Sequence, residues 1–167
     1  MTRSLHVFEK DLEDGLRCER IVAKYLEKWF VVEKVDLETE KSERIDFIVT
    51  EKGTGRQLKV EIKMDRAAGD TGNIYLETRC DGKVSWGYTC EADLIIICIP
   101  ALNIALVFKA STIRANIDGW AGHYELKEVW SEGRGRNYCA HGVCVPLRII
   151  RTVAVRELYL PLLMEVN

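Results

Sequence analysis

Apolar and polar positions follow two periods along this chain, and the changes of period mark its elements. Over residues 10–30, "KDLEDGLRCERIVAKYLEKWF", the residues Leu12, Leu16, Ala23, Leu26 and Phe30 recur at steps of three, four and seven, with Val22 and Trp29 beside them. That spacing predicts an amphipathic helix. Arg17, Arg20, Lys24, Glu27 and Lys28 fill its opposite face, and Gly15 weakens its first half. A charged connection, "EKVDLETEKSER", follows. "IDFIVTE" and "RQLKVEIKM" read as two strands around the turn signal "KGTG". "DRAAGDTG" reads as a loop, "NIYLETR" as a short strand, and "CDGKVSWGYTCEA" as a loop with a short helical turn. "DLIIICI" is nearly all apolar and β-branched, which predicts a central strand covered on both faces. "NIALVFK" is a further strand, and "ASTIRANIDGW" a helix with Ser111 or Thr112 as its N-cap. In the tail, "YELKEVW" and "VCVPLRII" look like strands, and "VAVRELYLPLLM" fits either period.

Helix, strands, helix and a variable tail predict an α/β protein, with a central mixed β-sheet flanked by helices. The 167 residues suit one domain, and no linker divides them. A formal charge of -2 means no overall basic field, which neither argues for nor excludes a nucleic-acid partner. The opening residues lack the apolar core of a signal peptide. The longest uncharged run, Leu94 to Phe108, is 15 residues and is interrupted by Pro100 and Asn103. A membrane helix needs about 20. A soluble, cytoplasmic protein with no membrane partner is expected. Its six cysteines are then free thiols or metal ligands rather than a disulfide framework.

The candidate chemistry lies in "LKVEIKMD". Leu58, Val60, Ile62 and Met64 point one way on a strand, and Lys59, Glu61, Lys63 and Asp65 the other. A turn symmetric about Gly53–Thr54 places Asp46 opposite Glu61, with Cβ atoms about 4.5–5.5 Å apart. Two carboxylates that close repel unless a cation lies between them or one holds a proton. Mg²⁺, with oxygen ligands at about 2.0–2.1 Å, fits that gap. Lys63 shares the face and reaches toward any anion held there. The competing reading is the wet face of an ordinary antiparallel strand. Projected at about 100° per residue, the row Leu12, Leu16, Glu19, Ala23, Leu26, Phe30 runs along one line. Glu19 is then expected on the apolar face. It either pairs with a core-facing Arg or Lys or points at the same ion as Asp46 and Glu61.

A helix glutamate (Glu19 in "RCERIVAKYL"), a strand aspartate (Asp46 in "ERIDFIV") and Glu-x-Lys on the next strand (Glu61 and Lys63 in "VEIKMD") resemble the PD-(D/E)xK, or restriction-endonuclease-like, nuclease superfamily. The arrangement is similar to Holliday-junction-resolvase-like and small phage nucleases, and "TGNIYLE" looks like a segment that follows Glu-x-Lys in some of them. The proline expected before the aspartate is Ile45 here. The resemblance covers residues 10 to about 110 and leaves 111–167 as a variable C-terminal part. It implies a restriction-endonuclease-like core and a divalent-metal-dependent nuclease hydrolysing DNA, an endonuclease of the resolvase or phage DNA-processing type. Asp46 and Glu61 would hold Mg²⁺ or Mn²⁺, joined by the backbone carbonyl of Ile62. Lys63 would orient the attacking water or steady the charged transition state. Glu19 would bind the ion directly, through water, or hold a second ion. A homodimer acting on DNA, branched DNA included, is implied by the same likeness.

Arg66 and Arg79 flank the site and are candidate phosphate contacts. Asp65 and Glu77 are candidate helpers, Glu77 sharing a strand face with Asn73 and Tyr75. Residues 133–156 hold Arg134, Arg136, Arg148, Arg151 and Arg156 and no carboxylate, which is either a backbone-binding stretch or a solvated surface. Trp86 and Tyr88 offer base stacking or core packing. Cys80, Cys90, Cys139 and Cys144, with His141, are the lesser candidate for a structural Zn²⁺; incidental thiols are the default. Cys18 and Cys98 read as core. The rival function is a non-catalytic DNA-binding or interaction module that retains the nuclease fold, against which the intact Asp46, Glu61 and Lys63 argue. A metal enzyme of unrelated chemistry is a third reading, disfavoured by the lysine two residues after Glu61.

Overall fold

The computed structural model describes residues 5–133, 136–161 and 163, with side chains from residue 10 onward except those of 131–136. Helix α1 (Leu5–Leu26) ends before Phe30, where strand β1 (Phe30–Lys34) begins. Val31 and Val32, stiff at χ1, favour extended backbone there. The buried line of α1 is Asp14, Cys18 and Val22, while Leu12 and Leu16 are 49% and 38% exposed. The expected row through Leu12, Leu16 and Glu19 is therefore corrected to the flank and outer side of the helix. Apolar residues cover too wide an arc of α1 for the pattern to choose which side meets the sheet.

The charged connection is also corrected. It holds part of β1 and a short helix α2 (Leu37–Glu43). Asp36 caps that helix, its Oδ1 accepting the amides of Glu38 and Thr39 at 3.0 and 2.8 Å. The hairpin β2 (Phe47–Glu51) and β3 (Gln57–Met64) has the register expected from its turn: Phe47 opposes Val60 and Thr50 opposes Gln57.

Helix α3 (Ala68–Thr71), strand β4 (Asn73–Cys80), the short strand β5 (Lys83–Val84) and helix α4 (Trp86–Thr89) come next. Asp81 and Gly82, at φ 49° and 75°, make the tight left-handed turn between β4 and β5. Strand β6 (Leu94–Ile99) leads through a 3-10 turn at Pro100–Leu102 to β7 (Ile104–Lys109). That strand runs straight into helix α5 (Ala110–Ala121). The N-cap of α5 is Lys109, with no side-chain capping bond, not Ser111 or Thr112; the Ala110 amide is instead held by the Asp93 carbonyl at 3.0 Å. Strands β8 (Leu126–Gly133) and β9 (Arg136–Pro146), helix α6 (Leu147–Ile150) and strand β10 (Arg156–Tyr159) complete the chain. "VCVPLRII" thus ends its strand at Pro146 and turns helical.

The fold is α/β. A mixed six-stranded sheet has the order β1-β2-β3-β6-β7-β10, with β3 parallel to β6 and the other pairs antiparallel. A second, antiparallel sheet has the order β5-β4-β9-β8. Cys18 and Val22 of α1 pack with Val60, Ile62, Ile96 and Cys98 on one face of the large sheet. On its other face, Ile95, Ile97 and Phe108 pack with α5 through Ile113 and Ile117 and with the second sheet through Ile74, Leu76, Val143 and Val145. Strand β6 is therefore covered on both faces, as its unbroken apolar run predicts. Among the described residues no helix is long and apolar enough to cross a membrane.

Candidate active site

Asp46 is set just before β2 by backbone bonds on both sides. Its carbonyl accepts the Val35 amide at 3.1 Å, and its amide donates to the Val60 carbonyl at 2.9 Å. The hairpin register then brings its side chain to Glu61, as the turn implied. Both carboxyls are buried, Asp46 6% and Glu61 3% exposed. Asp46 Oδ2 accepts the Ile62 N–H at 2.6 Å, so the contact observed at Ile62 is through its amide. Lys63 Nζ pairs with Glu61 Oε1 and lies 5.9 Å from the centre of the Trp86 ring.

The electrostatics follow from this crowding. Burial, and then the charge of Glu61, push the Asp46 carboxyl up to about 7, against the Ile62 N–H. Burial also raises Glu61, against the Lys63 ammonium and the hydrogen bond from Asp46. Burial works most strongly to lower Lys63, but the charge and hydrogen bond of Glu61, with the charge of Asp46, together outweigh it and hold the ammonium above its ordinary range. Two buried carboxyls and one ammonium leave the cluster short of positive charge whenever both acids are ionised. Oxygen donors with that deficit fit a hard cation such as Mg²⁺ or Mn²⁺.

Glu19 meets a half-exposed lysine of β1 rather than a core-facing one. Its Oε2 pairs with Lys34 Nζ of β1 at 2.8 Å, yet its charge also contributes to raising Asp46 and Glu61. It stands beside the pair rather than on it. Lys34 escaped the sequence reading because its strand was not foreseen.

Other candidates are redirected. Asp65 spends both oxygens on backbone: Oδ1 accepts the Ala68 amide at 2.9 Å and Oδ2 the Tyr75 amide at 2.8 Å. It ties the end of β3 to α3 and β4 and is not free to help at the site. Glu77 Oε1 accepts the Ser85 hydroxyl at the head of α4. There Gly87 lets the helix lie against β4, since a Cβ on it would sit 2.5 Å from the Glu77 carbonyl oxygen. Glu77 thus fixes the turn that presents Trp86 to Lys63. The Nη2 of Arg66, a candidate phosphate contact, is held by Asp14 and, at 3.5 Å, by Asp11 of α1. Arg79 is exposed on β4, opposite His141 on the second sheet. Arg134, and the side chain of Arg136, lie outside the described residues. Arg151 is paired with Glu157 at 2.9 Å, while Arg148 and Arg156 are exposed. Trp86 is core, and the Tyr88 hydroxyl donates to Asp118 at 2.5 Å.

The cysteines separate into groups. Cys18 and Cys98 are free thiols that share a hydrogen bond between α1 and β6 in the core. Cys90 is buried and donates to the Arg44 carbonyl at 3.2 Å, which removes it from the expected zinc set; Cys80, Cys139 and Cys144 lie on the second sheet. No family model, curated protein or solved structure matches the chain.

Proposed function

We propose that this protein is a divalent-metal-dependent nuclease that hydrolyses DNA, an endonuclease of the resolvase or phage DNA-processing kind. One observation carries the reading: Asp46 and Glu61 meet as buried carboxyls, both raised above the ordinary carboxylate range by burial, with the Lys63 ammonium on Glu61. Strand pairing alone would be served by apolar residues at these positions, because buried charge costs more than it returns. The resemblance noted above gives that constellation a use in phosphodiester chemistry.

Asp46 and Glu61 would hold Mg²⁺ or Mn²⁺, with the Ile62 carbonyl as a further donor. The bound ion supplies Lewis acidity toward phosphate and water. Lys63 donates from Nζ to a phosphoryl oxygen or to the attacking water, and loses its tie to Glu61 as it does so. The Ile62 amide fixes the Asp46 carboxylate, so that one oxygen remains for the ion. Glu19, steered by Lys34, adds negative potential that favours a cation. Arg17, Arg20, Lys24 and Lys28 lie along one side of α1, beside an apolar cleft, with Lys24 paired to Glu27 at 3.1 Å, and offer charge to a polyanionic partner. A homodimer remains part of the proposal.

The test is Lys63→Met. It removes the cation that competes for Glu61, so metal is held at least as tightly as in wild type. Cleavage is expected to fall about a hundredfold or more, as for loss of one preorganised charge donor. Retained cleavage would remove Lys63 from the chemistry.

A further inference from the structure

The hairpin of β8 and β9 carries a cluster that the Asp46 site does not use. Glu128 stands across from His141, and Trp130 across from Cys139. Cys139 and His141, two residues apart, share one face of β9, and Glu128 joins them from β8. Cys139 Sγ lies 3.4 Å from His141 Nε2, and Glu128 Oε2 lies 3.8 Å from Nδ1 of the same ring. One ligand atom from each residue falls within 4.8 Å of the others. Tetrahedral zinc, with Zn–S about 2.3 Å and Zn–N about 2.0–2.1 Å, sets its sulfur and nitrogen about 3.5 Å apart. Cys139 Sγ and His141 Nε2 already stand at that separation, and the Glu128 carboxylate is joined to the same site through its hydrogen bond with the Cys139 thiol.

Neighbouring groups orient two of the three. Asp81 Oδ1 accepts the Cys139 amide at 3.0 Å, and the Asp81 amide donates to the Cys139 carbonyl at 2.8 Å. The Trp130 indole N–H donates to Glu128 Oε1, which leaves Oε2 toward the imidazole. Outer contacts of this kind fix the direction of metal ligands. Thiolate, imidazole and carboxylate together suit zinc and disfavour Mg²⁺ or Ca²⁺, the opposite preference to the all-oxygen set at Asp46 and Glu61.

We propose that Glu128, Cys139 and His141 form a second metal site, which binds a zinc-class divalent cation with water in the fourth position. The ion clasps the outer strand β8 to β9 and needs nothing from the nuclease chemistry. Of the sequence's candidates Cys80, Cys90, Cys139, Cys144 and His141 it keeps Cys139 and His141, and it adds Glu128.

The experiment is titration of the metal-free, full-length protein with Co²⁺ and then Zn²⁺, followed by absorbance. One equivalent of Co²⁺ is expected to give a thiolate-to-cobalt charge-transfer band and the intense visible bands of tetrahedral cobalt, both abolished by excess Zn²⁺. Cys139→Ser should remove the charge-transfer band. Glu128→Gln, on an exposed side chain, should weaken binding about ten- to a hundredfold. Cys80→Ser, Cys144→Ser and Asp46→Asn should leave the band intact. A protein that gives no thiolate band, or one whose band survives Cys139→Ser, would overturn the site. So would a band lost in Cys80→Ser or Cys144→Ser instead.

Discussion

Glu61→Gln is expected to lower metal-dependent DNA cleavage about a thousandfold or more with the fold intact. The side chain is nearly isosteric, and it sits in β3 between the buried Val60 and Ile62, whose packing it does not touch. What changes is charge. A carboxylate that holds a cation becomes a neutral amide, and the Lys63 ammonium loses the partner that orders it. Loss of a metal ligand together with misplacement of a charge donor corresponds to about 4 kcal/mol of transition-state stabilisation, or about three powers of ten in rate. Cleavage rates at saturating Mg²⁺, with circular dichroism as the check on folding, measure it. A fall of less than tenfold would take Glu61 out of the site.

The second large effect is on stability and runs against pH. Asp46 titrates near 7 in the folded protein against 3.8 ordinarily, so the native state holds its proton more tightly than the unfolded chain does. For such a group the stabilising contribution is complete below about pH 4 and is lost as pH rises through about 7. Glu61 is raised in the same direction and adds to the slope. The shift at Asp46 corresponds to roughly 4 kcal/mol. Wild type without divalent ion should therefore become less stable between pH 5 and pH 8. Asp46→Asn should flatten that decline and be the more stable protein at pH 8, since the amide still accepts the Ile62 N–H. Urea unfolding in EDTA at both pH values reads the difference. A wild type equally stable at the two, with Asp46→Asn no better at pH 8, would mean that the carboxyls do not crowd each other.

The site was legible where it depended on local pattern. "KGTG" set the hairpin register, and register alone placed Asp46 against Glu61 with Lys63 on the same face. Strand β6 was legible because an unbroken β-branched run has one comfortable place, the middle of a sheet. What failed depended on contacts distant in sequence. Glu19 finds Lys34 on β1, whose apolar start at Phe30, Val31 and Val32 runs on directly from the helical pattern and so does not mark a new element. Arg66 is drawn to Asp11 and Asp14 by the way α1 crosses the large sheet, which periodicity does not encode. The second sheet joins β4 to β9 across residues 81–135. Cys139 and His141 were visible as neighbours in the sequence, but Glu128 joins them only through the pairing of β8 with β9.

The most direct measurement is cleavage of a DNA panel by the purified protein: linear duplex, single strand, flap, fork and four-way junction, each in Mg²⁺, Mn²⁺ and EDTA, with Asp46→Ala alongside. Cutting of at least one DNA in Mg²⁺ or Mn²⁺ is expected, abolished by EDTA and by the substitution. A folded protein that cuts none of them, or one whose cutting survives EDTA or Asp46→Ala, would contradict a metal-dependent nuclease centred on Asp46 and Glu61.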